Sequence, residues 1–85
     1  MTESYEYWKE KEADALRLEK VAEKLADDAQ SDVKLAVAAG DHAAKADAVR
    51  RWTKALREVE EHANAAGEAW RAAFRIKHGL MPPTN

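Results

Sequence analysis

The sequence predicts an all-α fold, a long antiparallel helical hairpin with coiled-coil-like packing. Three observations predict it. Residues 3–39 and 41–78 are two stretches of nearly equal length with helical apolar spacing and almost no helix breakers. Between them stands one glycine-plus-cap signal, Ala38-Ala39-Gly40-Asp41-His42. Gly40 suits the left-handed position just past a helix end, and Asp41 suits the N-cap of the next helix. Alanine supplies roughly a fifth of the 85 residues, with Glu, Lys, Arg and Leu in support, the composition of long helices.

The first helix is expected over about residues 3–39. Ser4 or Thr2 can cap it, and Glu3 and Glu6 favour the positive end of its dipole. At 100° per residue, Trp8, Ala15, Leu18, Ala22, Leu25, Ala29, Val33 and Ala36 fall on one stripe. The acidic segment Asp27-Asp28-Ala29-Gln30-Ser31-Asp32 is where this helix could kink or restart.

After the turn at Gly40, the second helix is expected over about residues 41–78. Ala48, Trp52, Leu56, Val59, Ala63, Ala66, Trp70 and Phe74 share a face. His78 falls in the last turn, and Gly79 followed by Pro82-Pro83 ends the helix, leaving an extended tail over 79–85. Gly67, beside Asn64, is the one defect in the pattern. A break there or near Ser31 gives the alternative architecture, a three-helix bundle.

Folding about Gly40 pairs positions whose numbers sum to about 81, setting Ala29 against Trp52, Ala22 against Val59, Leu25 against Leu56 and Leu18 against Ala63. Large meets small in three of those four layers, as interdigitation requires. Two helices alone bury one narrow seam, so a partner is expected. Dimerisation into a four-helix bundle is the simplest form of it.

The formal charge of −2 hides an asymmetry: residues 1–41 carry six Lys/Arg against eleven Asp/Glu, and residues 42–85 carry eight against five. The two arms should attract each other when folded together. Cysteine is absent, which excludes disulfides and thiolate metal sites. The acidic start of the chain has no signal-peptide pattern, and no apolar run approaches the length of a membrane span. A cytoplasmic protein is expected, or a virion component if phage-encoded.

The candidate chemistry is sparse. His42, His62 and His78 have no metal-binding spacing, and the carboxylates alternate with Lys and Arg in pairs such as Lys24–Asp28 and Asp47–Arg51. There is no phosphate loop and no nucleophile motif. The expectation is a non-enzyme without cofactor, metal, small-molecule or membrane partner.

Partner-binding residues are expected at the aromatic open end of the hairpin, Tyr5, Tyr7, Trp8, Trp70 and Phe74, and on the row Ala65, Ala69, Ala72 and Ile76. Leu16 and Leu35 also lie off the seam. A loose basic stripe, Arg50, Lys54, Arg57, Arg71 and Arg75, could track a phosphate backbone, although Glu61 and Glu68 interrupt it and Trp52 points into the seam.

A hairpin of this length resembles the small WXG-type proteins of type VII secretion. Here Ala38-Ala39-Gly40 stands where their Trp-x-Gly turn falls, and the C-terminal Tyr-x-x-x-Asp/Glu signal is missing, so no family is assigned. The functional expectation is a protein–protein interaction or assembly subunit, within a homo-oligomer or a larger assembly such as a phage particle. The alternatives are a small nucleic-acid-binding regulator using the basic stripe, or an inhibitor using the acidic arm, Glu10 through Asp32.

Overall fold

Helix α1 runs from Tyr5 to Ala39 and helix α2 from His42 to Lys77 in a computed structural model that describes residues 4–79. The Ser4 hydroxyl accepts the Tyr7 N–H at 3.1 Å and starts α1, with Glu6 in the first turn. The Asp41 carboxylate accepts the Ala44 N–H at 3.0 Å and starts α2. Between the caps Gly40 adopts φ +69°. The Gly40 and Asp41 N–H groups donate back to the carbonyls of Val37 and Ala36, at 3.1 and 3.0 Å, and so satisfy acceptors that a helix end leaves unpaired. Nothing lies within 4 Å of where a Gly40 Cβ would stand, so glycine is required there by backbone conformation and not by space. Thr2, Glu3 and all of the expected tail beyond Gly79 lie outside the described residues.

Neither of the possible breaks interrupts its helix. α1 is helical through Asp27–Asp32, and α2 is helical through Asn64 and Gly67, so the described chain is two helices rather than three. Lys24 pairs with Asp28 at 3.5 Å across the acidic segment. Buried Ala26 and Ala29 on one helix, and Ala66 and Ala69 on the other, continue the packed face through both suspect points. Packing along the face outweighs the local propensity of a few Asp, Ser or Gly residues.

The pair forms a rod of 58 × 22 × 18 Å. Among the described residues the fully buried ones are all alanine: Ala15, Ala22, Ala26, Ala29 and Ala36 from α1, and Ala48, Ala55, Ala66, Ala69 and Ala73 from α2. Half-buried residues complete the pattern, namely Tyr5, Trp8, Glu12, Glu19 and Val33 on α1, and Trp52, Val59, His62 and Ile76 on α2. Along both helices these seam positions alternate in steps of three and four, the heptad period of a coiled coil.

Here the structure corrects the sequence reading. The wheel angle places Leu18, Leu25, Leu56, Trp70 and Phe74 in the seam, yet they are 42%, 52%, 48%, 50% and 41% exposed. The reason is steric. Alanine in layer after layer lets the two backbones approach closely, and the larger side chains one position away are squeezed out to the flanks. Ile76, expected off the seam, belongs to it.

The register agrees with the expected pairing. Asp32 and Arg51 each directly precede a seam residue, Val33 and Trp52, and they bridge the helices at 3.0 Å. That flank pair sets the intervening seam layers at sums of 81, with Ala29 level with Trp52, Ala22 with Val59 and Ala26 with Ala55. Leu25 and Leu56 also sum to 81 but sit on opposite sides of the seam. The expected attraction between the acidic and basic arms reduces to this one bridge among the ion pairs of the described residues. The others, Lys9–Glu12, Arg17–Asp14, Lys24–Asp28, Arg50–Asp47 and Arg51–Asp47, each lie within one helix.

Candidate interaction surface

The heptad places the exposed apolar residues on two opposite faces of the rod. Residues that directly precede a seam position share the face of the Asp32–Arg51 bridge. Leu18 and Leu25 lie there, and Leu25 lines a shallow groove with Arg51, Ala55 and Glu58. Val21 and Leu35 lie further round the same side of α1, with Leu35 beside Asp32, Asp47 and Arg51. We call this the Arg51 face. Its large apolar groups come from α1, while α2 contributes Arg51, Lys54 and Glu58 with the small Ala65 and Ala72.

Residues that directly follow a seam position share the other face. Leu16 and Val37 come from α1, and Val49, Leu56, Ala63 and Trp70 from α2. Phe74 stacks on Trp70 with ring centroids 5.3 Å apart, and His78 continues the ladder 4.3 Å from Phe74. A groove at this end is lined by Tyr5, Lys9, Trp70, Phe74, Lys77 and His78. This is the Trp70 face, and both helices supply its apolar groups.

The expected partner-binding residues are therefore divided by the structure. Trp70 and Phe74 are exposed on one face. Tyr5 and Trp8 are half-buried in the seam, and Tyr7 packs edge-on against Trp8 at 5.2 Å, with Lys11 Nζ 5.3 Å from the Tyr7 ring centre. The small-residue row does not form a docking strip. Ala69 is 2% exposed and faces α1, Ile76 is half-buried two turns further along the seam, Ala72 is half-buried, and only Ala65 of the row is exposed. The residues that sequence reasoning missed are Val21, Val37 and Val49, exposed on the flanks. The repeat of Ala15, Ala22, Ala29 and Ala36 at intervals of seven was the signal that could have found them.

Arg50, Lys54, Arg57, Arg71 and Arg75 all lie exposed on the outer side of α2, and Trp52 is half-buried in the seam as expected. Arg50 approaches Asp47 at 3.6 Å, while the other four make no ion pair among the described residues. The most constrained cation is Arg51. It donates hydrogen bonds to Asp32 and Asp47, and these hold its guanidinium above the ordinary arginine pKa. Lys9 is likewise raised, first by its hydrogen bond to Glu12 at 2.6 Å.

Among the described residues no group of three His, Asp or Glu could hold a metal, and no helix is long and apolar enough to cross a membrane. His62 sits in the seam level with Glu19, His42 opens α2, and His78 stacks on Phe74. Comparison of the chain with protein-family models, with curated proteins and with solved structures finds no match.

Proposed function

We propose that the chain is a non-enzymatic protein–protein interaction subunit, working within a homo-oligomer or a larger assembly of the kind that builds a phage particle. One observation carries the reading. The hairpin spends its smallest apolar residue, alanine, on its own core and leaves the leucines of the described residues, Trp70 and Phe74 outside. Burial of a large aliphatic or aromatic side chain is worth roughly 1.5–3 kcal/mol, so two faces lined with such groups are surfaces for another chain. The test replaces Leu25 and Leu56 with serine. Association should weaken while the dilute chain keeps its helicity and its urea midpoint. A collapse of the dilute chain would show that these leucines hold the hairpin itself, and the reading fails.

A second reading rests on Lys54, Arg57, Arg71 and Arg75, exposed and outside any ion pair of the described residues. They would contact the phosphates of a nucleic acid. Binding to duplex DNA should then weaken steeply with salt and vanish in a Lys54→Glu, Arg57→Glu variant. Binding unchanged by that reversal removes the stripe from consideration.

A further inference from the structure

We infer that the Trp70 face is where a second copy of this chain docks, with each α1 lying antiparallel along the partner copy's α2 to close a four-helix bundle. This rests on the assembly reading above and adds the occupant, the face and the symmetry.

The argument begins with charge. Helix α1 carries six Lys/Arg and nine Asp/Glu, a net −3, and α2 carries eight and five, a net +3. A two-fold axis along the rod sets α1 of one copy on α2 of the other, opposite charge on opposite charge. A two-fold across the rod sets α1 on α1 and α2 on α2, like on like. Size permits the contact. A face of 58 × 22 Å is on the order of 1,000 Å² per partner, above the ~800 Å² per partner typical of stable interfaces.

The two faces then separate on detail. A two-fold along the rod preserves level, so residues of the two copies meet at the same heights as within one hairpin. On the Trp70 face, Leu16 meets Ala63, Ala13 meets Gly67, Lys20 meets Glu60, and the Lys9 ammonium meets the Trp70 ring. Large faces small, opposite charges face each other, and a cation faces an aromatic. Leu56 and Phe74 meet Glu23 and Glu6, and among the described residues no like charges face each other there. The same operation on the Arg51 face also gives favourable pairs, Leu18 with Ala65, Asp28 with Lys54 and Asp32 with Arg51, but it sets Asp14 against Glu68 and Val21 and Leu35 against Glu61 and Asp47. The like-charge contact of Asp14 with Glu68 is what counts against that face.

Gly67 supplies an independent detail. It sits mid-helix with ordinary helical backbone, where glycine is unfavourable relative to alanine. Within the hairpin a Cβ there would meet only the end of the flexible Arg71 side chain, at 3.4 Å. The hairpin thus gives no reason for the glycine. Ala63 and Gly67, one turn apart, make a flat seat between Leu56 and Trp70, and Leu16 and Ala13 of the second copy fill it.

The chain has no cysteine, so the contact can be read by disulfide cross-linking in the whole protein. The Ala13→Cys, Gly67→Cys variant should oxidise to a covalent dimer of twice the 9.5 kDa chain, whereas Val21→Cys, Glu61→Cys on the opposite face should not. Light scattering of the wild-type chain should give the same dimer mass, and Leu16→Lys should raise its dissociation constant by about tenfold or more with helicity retained. A wild-type monomer at tens of micromolar overturns the self-docking while leaving the assembly reading intact for a different partner. Cross-linking through Val21 and Glu61 instead overturns the face. A dimer that survives Leu16→Lys overturns the seat.

Discussion

At the scale of single residues, the turn and the alanines have different sensitivities. Gly40 holds φ +69° with open space around it. Gly40→Ala should therefore cost about 1 kcal/mol through backbone strain alone, and Asp41→Ala a similar amount through the lost cap on Ala44. Both are read as a drop in the urea midpoint. In the seam the expected order of substitutions inverts ordinary intuition. Ala29 is 2% exposed and level with Trp52, so Ala29→Leu should destabilise by about 1–3 kcal/mol through overpacking. Leu25→Ala, on a face that neither the hairpin nor the two-fold contact uses, should change the midpoint by less than about 0.5 kcal/mol. The Arg51 bridge should respond to salt at neutral and alkaline pH. The raised pKa keeps the guanidinium charged there, and the arginine's side of the contact is lost as pH rises through that raised value. Added salt screens it because both partners are half exposed.

At the scale of the helices, much of the hairpin was legible in the sequence. Ser4, Gly40 and Asp41 act through local chemistry, and the caps and the turn stand where those residues predicted them. The pairing sum of 81 also followed, because a hairpin centred on Gly40 leaves little freedom in register. What the sequence concealed was which residues occupy the seam. A wheel at 100° per residue drifts about 20° per heptad against a seven-residue repeat, enough to draw Leu18, Leu25 and Leu56 onto the stripe. Ranking by hydrophobicity then prefers leucine to alanine, whereas backbone approach favours alanine. Ala69 illustrates the same error in reverse, since a small residue was read as surface and is core. The seam also contains a polar layer, half-buried Glu19 level with His62. Polar groups at such positions fix register at a cost in stability. Glu19→Ala with His62→Ala should raise the melting temperature and allow cross-linking in registers that the wild-type chain does not sample.

At the scale of the whole molecule, the rod is two-faced. A two-fold along the axis sets Asp14 against Glu68 on one face and no like charges against each other on the other, so closing a bundle through the second leaves Leu18, Val21, Leu25 and Leu35 still uncovered. That remainder is the surface by which such a bundle would attach to something larger. Gly67→Ala distinguishes a free chain from an assembled one. In the isolated helix it should stabilise by roughly 0.5–1 kcal/mol, but across the docked face the added methyl should meet Ala13 of the second copy and weaken association. Concentration-dependent melting of the two proteins would separate these opposing effects.

The alanine core has a calorimetric consequence. Methyl groups bury little apolar area per residue, and the heat capacity of unfolding scales with the apolar area exposed. A single hairpin should therefore unfold with an unusually small heat-capacity change and a shallow denaturant slope for its length, giving a broad, flat stability curve that tolerates cooling well. In the proposed dimer the heat-capacity signature would belong to association instead, where Leu16, Leu56, Trp70 and Phe74 would leave water. Most of the water released would then be released between chains, and the melting temperature would rise with protein concentration.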